Sequence, residues 1–239
     1  MNIYELKTIG ERINGNPYVG RGIILGKSQN GKKAVSAYFI MGRSANSRNR
    51  IFEKDSDGTV FTKPFDPSKV EDPSLIIYAA VRNYENKLIV TNGDQTDTVW
   101  EALKAGGTFE SGLDTREFEP DSPNFTPRIS GMITYGENDF DYKMSILKSA
   151  DEIGSACNRY YFNYKSLAGV GHFIHTYVTD GDPIPTFQGE PERISIPDDI
   201  EIFTNDIWNN LDENNKISLI VRYTDIQSGE VTERIINKN

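Results

Sequence analysis

The chain has 239 residues, of which 37% are hydrophobic and 26% charged, and a formal net charge of -9. That composition fits a globular protein with one large core or two modest ones and excludes a disordered polymer. It lacks the run of roughly 20 apolar residues that a membrane span needs, and its acidic balance argues against a general nucleic-acid binder, which needs a broad basic face.

In chain order, MNIYELKTIGERINGN has no apolar stretch of signal-peptide length, so a cytoplasmic location is expected. Val19 to Gly26 and Ala34 to Met41 read as a strand pair joined by the Gln29-Asn30-Gly31 turn. Residues 55–58, DSDG, are a second turn, and TVFTKPFD is a strand with its exit. Residues 74–84 and 87–93 read as two further buried strands. TNGDQTDTVWEALKAGG then predicts a helix capped by Thr98 with Glu101 and stopped by Gly106-Gly107. TFESGLDTREF has room for a second short helix. Pro120, Pro123 and Pro127 stiffen the approach to Arg128 and the strand ISGMITY. The second half alternates the strand-like runs DYKMSILKS, RYYFNYKSL, HFIHTYVT and RISIP with Gly and Pro turns. A helix within 196–214 and the strands KISLIVRYTDI and EVTERIINK close the chain. With no repeat or linker, the simplest packing over 1–239 is one α+β domain, two covered sheets with a few helices outside.

Charge is unevenly distributed. From Arg12 to Phe52 there are eight Lys and Arg and no acid, whereas residues 176–215 hold ten acids and one base, Arg193. The loop GRSANSRNR concentrates Arg43, Arg48 and Arg50 among Ser44, Ser47, Asn46 and Asn49. Guanidinium forks match phosphate oxygens, so an anion clamp is one reading and a solvated hairpin edge the other. TNGDQTDT, at a strand end before a helix, suits either backbone anion binding or plain turn and cap work. It is neither a Walker loop nor GxGxxG. Glu119 and Asp121 sit on the proline-stiffened segment, placed for acid–base work or simply solvated. His172 and His175, three apart, point to opposite faces of a strand, a poor arrangement for one metal. The lone Cys157 excludes an internal disulfide and a multi-thiolate site. The tyrosine-rich RYYFNY could stack bases but reads more simply as sheet core.

Five motifs in order, YVGRGIILG (18–26), GRSANSRNR (42–50), IIYAAVR (76–82), IVTNGDQTDT (89–98) and TPRI (126–129), resemble the archaeal-type IMP cyclohydrolase family. The likeness covers about residues 18–135. Residues 1–17 form an N-terminal extension, and 140–239 a divergent half of the same domain. The resemblance implies a four-layer αββα sandwich like that of N-terminal nucleophile hydrolases. It also implies closure of 5-formamidoimidazole-4-carboxamide ribonucleotide to IMP and water, with no metal or organic cofactor. By motif, Arg50, Tyr78 and Glu119 look like the catalytic residues. Arg43, Ser44, Arg82, Asn92, Gly93, Asp97 and Arg128 look like the nucleotide surround, with Arg48 beside them in a loop longer than the archaeal pattern. Asp94 and Gln95 replace the Ser and His of that pattern.

The implied partner is therefore a small purine nucleotide, not nucleic acid or membrane, with a homo-oligomer left open. The chief alternative is a non-catalytic or differently specific purine-nucleotide binder on the same fold. An RNA-binding module and an autoprocessing amide hydrolase are more distant rivals.

Overall fold

A computed structural model describes residue 2 and residues 4–70 and 77–239. Residues 74–76 of the predicted strand 74–84 lie outside the described residues. In chain order the elements are α1 (Ile9–Ile13), β1 (Arg21–Lys27), β2 (Lys33–Met41), α2 (Ala45–Arg48), β3 (Ile51–Lys54), β4 (Val60–Lys63), β5 (Tyr78–Tyr84) and β6 (Lys87–Thr91). They continue as α3 (Gln95–Lys104), α4 (Phe109–Leu113), β7 (Arg128–Tyr135), β8 (Phe140–Ser149), β9 (Cys157–Lys165), β10 (Val170–His175), β11 (Glu192–Ser195), α5 (Ile200–Asn210), β12 (Lys216–Asp225) and β13 (Val231–Asn237). One sheet has the order β11-β10-β1-β2-β12-β13, the other β3-β4-β5-β6-β7-β8-β9, and all the strand pairings are antiparallel.

Strand alternation sets the layers. Ile23, Leu25, Tyr38 and Ile40 of the first sheet meet Tyr78, Ala80, Ile129, Ile133 and Ile146 of the second in one apolar core. The intervening residues, such as Ile24, Phe39 and Phe173, pack outward with Ile9, Ile13, Phe203 and Ile207 of α1 and α5. On the far side Ile89, Met132 and Leu147 pack with Val99, Leu103, Phe109 and Leu113 of α3 and α4. Two face-to-face sheets thus carry helices on both outer faces, as the two-sheet reading expected.

Three local departures matter for the site. Helix α3 starts at Gln95, a turn before the predicted cap. Thr91 Oγ1 accepts from Gly93 N and bonds Thr96 Oγ1, which winds the chain early, and Thr98 accepts from Arg116 instead of capping. The arginine loop contains a helical turn, α2, whose Ser44 and Ser47 cap each other's backbone. Between β4 and β5, Val60 faces Val81 but Phe61 faces Ala79. The extra residue, Ala80, is a bulge that reverses the alternation. Tyr78 therefore points between the sheets, while Arg82 points to the outer face and lies 3.6 Å over Trp100.

The basic and acidic stretches of the chain meet in space. Arg12 pairs with Glu192 at 3.0 Å, Arg43 with Asp180, Asp206 accepts from Gly10 N, and Asp198 from Asn30 N. The charge separated along the sequence is locally matched in the fold.

Gly26 and Gly171 face each other across β1 and β10, and a Cβ on Gly26 would sit 2.5 Å from Gly171 Cα and 2.6 Å from Val170 O. Backbone cannot yield as a flexible side chain can. Gly26→Ala is expected to cost about 2 kcal/mol or more in denaturant unfolding, with little change in m.

Candidate active site

The candidate site lies at the end of the sandwich where β1, β3, β5 and β7 begin. Arg21 is the first residue of β1 and shares the inward parity of Ile23 and Leu25. Tyr38 of β2 lies on the same face. Across the gap, Tyr78 opens β5, and its hydroxyl lies 2.7 Å from that of Tyr38. Arg50 enters just ahead of β3. Arg21 and Arg50 are both under a tenth exposed, and Arg21 Nε has no hydrogen-bond partner among the described residues.

Glu119 reaches this group from the proline-rich segment. Its backbone N–H donates to Thr126 O at 2.9 Å, while Asp121 accepts from Thr126 N and from Thr126 Oγ1. Thr126 Oγ1 also meets Tyr177 OH at 2.5 Å. The segment is thus pinned to both sheets. Phe125 holds a positive φ of 43°, a strained value for a bulky residue, with its ring edge-on to Phe118. Asp121 therefore shapes the loop, and Glu119 is the carboxylate turned towards the arginines.

Charge coupling binds the cluster together. Burial raises the Glu119 carboxyl above its usual range, Arg21 and Arg128 oppose that rise, Asp121 adds to it, and Arg50 again opposes it. Burial works against the Arg21 cation, but Glu119 and the surrounding tyrosines outweigh it, so Arg21 is held charged more firmly than usual. Arg50 is lowered, by burial first and then by the neighbouring Arg21 charge. Burial, and then Tyr78, push the Tyr38 hydroxyl well above the ordinary value. Tyr38 is accordingly a neutral donor or acceptor.

The strand-end loop 91–95 forms the next part of the rim. Asn92 is buried and spends its side chain on the backbone. Its Oδ1 accepts from Ile129 N and Gln95 Nε2, and its Nδ2 donates to Pro127 O. A Cβ on Gly93 would lie 2.6 Å from Gln95 Oε1 and 2.7 Å from Arg128 Nη1, so a larger residue there would push the ends of those two side chains aside. Arg128 donates to Asp94 at 2.7 Å and to Gln95 Oε1 at 2.8 Å, and Arg116 grips both oxygens of Asp94 at 2.6 Å. Burial opposes ionisation of Asp94, but these two arginines prevail and hold its carboxyl low.

The remaining predicted residues lie further out. Arg43 donates to Asp180 and Gly181 O and sits 5.3 Å over the Tyr18 ring. Arg48 donates to Gly42 O and Asn215 Oδ1. Arg82 pairs with Asp97 on the outer face, away from Tyr78. The structure therefore couples Tyr78, Arg50, Glu119 and Arg128 with one another, sets Asn92 and Gly93 beside Arg128, holds Arg43, Ser44 and Arg48 in the loop further out, and leaves Arg82 and Asp97 behind the sheet. Sequence reasoning missed Arg21 and Tyr38. Their alternation with Ile23, Leu25 and Ile40 was the available signal, obscured by near-continuous apolar neighbours.

The histidines lie apart. His172 Nδ1 meets Tyr142 OH at 2.6 Å and its ring stacks on Tyr164, burial lowering it to about 4. His175 stacks on Phe173 and lies near Glu192. Among the described residues no three His, Cys, Asp or Glu side chains gather as metal ligands, and no helix is long and apolar enough to cross a membrane.

This arrangement, two buried arginines beside a carboxylate and a tyrosine pair at the strand ends, can polarise a carbonyl and move a proton next to it. A family model described as IMP cyclohydrolase-like protein matches residues 18–229, well beyond the stretch 18–135 that carries the motifs. The chain is 35% identical to the IMP cyclohydrolase of Methanopyrus kandleri over 124 residues, 50% of this chain and 60% of that protein. It is 30% identical to the IMP cyclohydrolase of Methanococcus maripaludis over 168 residues, 64% of this chain and 82% of that one. With the family model spanning most of its length, the chain belongs to the IMP cyclohydrolase-like protein family.

Proposed function

We propose that the protein closes the purine ring, converting 5-formamidoimidazole-4-carboxamide ribonucleotide to IMP and water, on a sandwich related to that of the N-terminal nucleophile hydrolases. The observation that carries this reading is the Tyr78–Tyr38 hydroxyl pair beside Glu119 and two buried arginines.

The substrate's carboxamide nitrogen attacks the formyl carbon, forming the ring C–N bond and leaving an oxyanion on the former formyl oxygen. Much of the barrier is removed by holding those atoms about 3–3.5 Å apart. Tyr78 OH, backed by Tyr38, donates to the oxyanion, and the Arg21 and Arg50 guanidiniums stabilise the charge that develops there. Glu119 takes the proton that the amide nitrogen loses. It returns that proton to the oxyanion, giving the carbinol; as the C–O bond then breaks, the N–H proton of the former formamido nitrogen passes to the departing hydroxyl, leaving water and the ring C=N bond, so no net proton is consumed. A carboxyl whose burial already raises its proton affinity suits both halves of that shuttle.

The nucleotide's 5′-phosphate is assigned to the rim formed by Arg43, Ser44 and Arg48, with Arg128 and the Asn92-Gly93 turn facing the base or ribose. Arg43 reaches the phosphate only by giving up Asp180. Arg82 and Asp97 then support the sheet–helix contact without touching substrate.

Ring closure can be followed by absorbance on the purified protein. Tyr78→Phe is expected to lower kcat by roughly 100- to 1,000-fold with KM nearly unchanged, since the lost donor acts on the transition state. Wild-type kcat is expected to fall as pH drops through a midpoint above the ordinary glutamate value, because Glu119 must start as the base. Glu119→Gln should be slow and lack that limb. IMP binding without any wild-type turnover would transfer the same pocket to a non-catalytic nucleotide binder.

Asp180→Asn should tighten IMP binding several-fold in calorimetry by removing a competing carboxylate from Arg43. Weaker binding would remove Arg43 from the phosphate site.

A further inference from the structure

Two sheets present four edge strands. In the six-stranded sheet, β11 has only four residues and is covered by the N-terminal segment, with Ser195 N donating to Lys7 O at 2.8 Å. The edges β13 and β3 clasp each other. Asn237 bonds both Phe52 N and Phe52 O, and Lys54 pairs with Glu233 at 3.0 Å. The fourth edge, β9, differs. It runs nine residues in unbroken register with β8 and contains no Gly, Pro or acid. Edge strands are usually protected by shortness, bulges, Pro or outward charge. The two cations of β9 give no such protection, because Arg159 donates to Arg116 O and Lys165 pairs with Asp141.

The unused backbone groups can be identified. Ala150 N donates to Ala156 O, so by antiparallel alternation the even residues of β9 exchange hydrogen bonds with β8. The N–H and C=O groups of Cys157, Arg159, Tyr161, Asn163 and Lys165 therefore face away from the sheet, and of these Cys157 O already accepts a long bond, 3.4 Å, from Arg159 Nη1. This row is symmetric about Tyr161.

We infer that β9 is the contact between two copies of this chain, paired antiparallel about a two-fold axis at Tyr161 so that the seven-stranded sheets become one continuous sheet. The register uses the whole strand and makes about ten backbone hydrogen bonds. Tyr160 falls opposite Phe162 of the partner subunit, Arg159 opposite the partner's Asn163, and Lys165 opposite the partner's Cys157. The three central aromatic residues thus meet aromatic residues, and no like charges face each other. Centring on Arg159 instead would set two guanidiniums opposite each other and waste part of the strand. The flanking loops add apolar surface, with Ile153 80% and Leu167 54% exposed, and Tyr160 in the strand itself is 42% exposed. A closed two-fold pairing uses up both β9 edges and so stops at a dimer. The inference is independent of the reaction proposed for the inter-sheet site.

Sedimentation equilibrium of the full chain at micromolar concentrations should give twice the chain mass. Asn163→Pro removes an outward N–H that β8 does not use, so it should yield a monomer with unchanged circular dichroism. Spin labels on the native Cys157 should report a separation of about 27 Å, eight residues at ~3.4 Å each. In a Cys157→Ser background, Tyr161→Cys should cross-link two chains on mild oxidation, because paired Cα atoms there lie about 5.5 Å apart. A wild type that stays monomeric would overturn the inference. So would a dimer that survives Asn163→Pro or a label distance far from 27 Å.

Discussion

Arg21, Arg50 and Glu119 are ions held between two apolar sheets, and burying each one costs several kcal/mol unless its neighbours compensate. The surrounding architecture limits that cost. These groups sit at the strand ends, with the tyrosine hydroxyls supplying dipoles beside them. Further along the gap the core is mainly Ile, Leu, Val and aromatic side chains, together with the buried Arg222–Glu233 ion pair on the inner faces of β12 and β13. At the strand ends low dielectric and fixed charge coexist, the condition under which a donor acts most strongly on developing negative charge.

Counter-ions divide the arginines into two groups. Arg43, Arg82, Arg116 and Arg128 each grip an aspartate, and those pairs tie loops to one another: the arginine loop to 178–182, β5 to α3, and the strand-end turn to the proline-rich segment. Arg21 and Arg50 instead respond to Glu119 and to the tyrosines. Asp94 has the clearest structural task. It stands at the N-cap position of α3 without making the side-chain cap bond, because both of its oxygens are committed to arginines. Asp94 therefore acts in this turn as a local clamp.

Much of the fold was legible because alternation and turn chemistry are local signals. The Asn30-Gly31 turn, most of the strand runs and the stop at Gly106 appear within a residue or two of their expected places, whereas the run 172–179 leaves the sheet at His175 and β3 had not been expected. The misjudged elements depended on partners distant in the chain. Thr98 looked like a cap until Arg116 claimed its hydroxyl. Arg82, four residues from Tyr78, would share its face in a regular strand, and only the pairing of β4 with β5 reveals the bulge that separates them.

The sequence by itself determined the element order, the apolar faces and, through five short motifs in order, the family. Each of those is carried by neighbours within a few residues. Only the tertiary structure decided which charges meet. Bases of the arc 12–52 find their acids more than a hundred residues away, Lys27 at Asp139, Arg43 at Asp180, Arg12 at Glu192 and Lys33 at Asp225. Arg21 and Tyr38 join the site because two sheets, not one strand, bring them opposite Tyr78. Ion pairs and proton affinities depend on distance and burial, and those are properties of the packed chain.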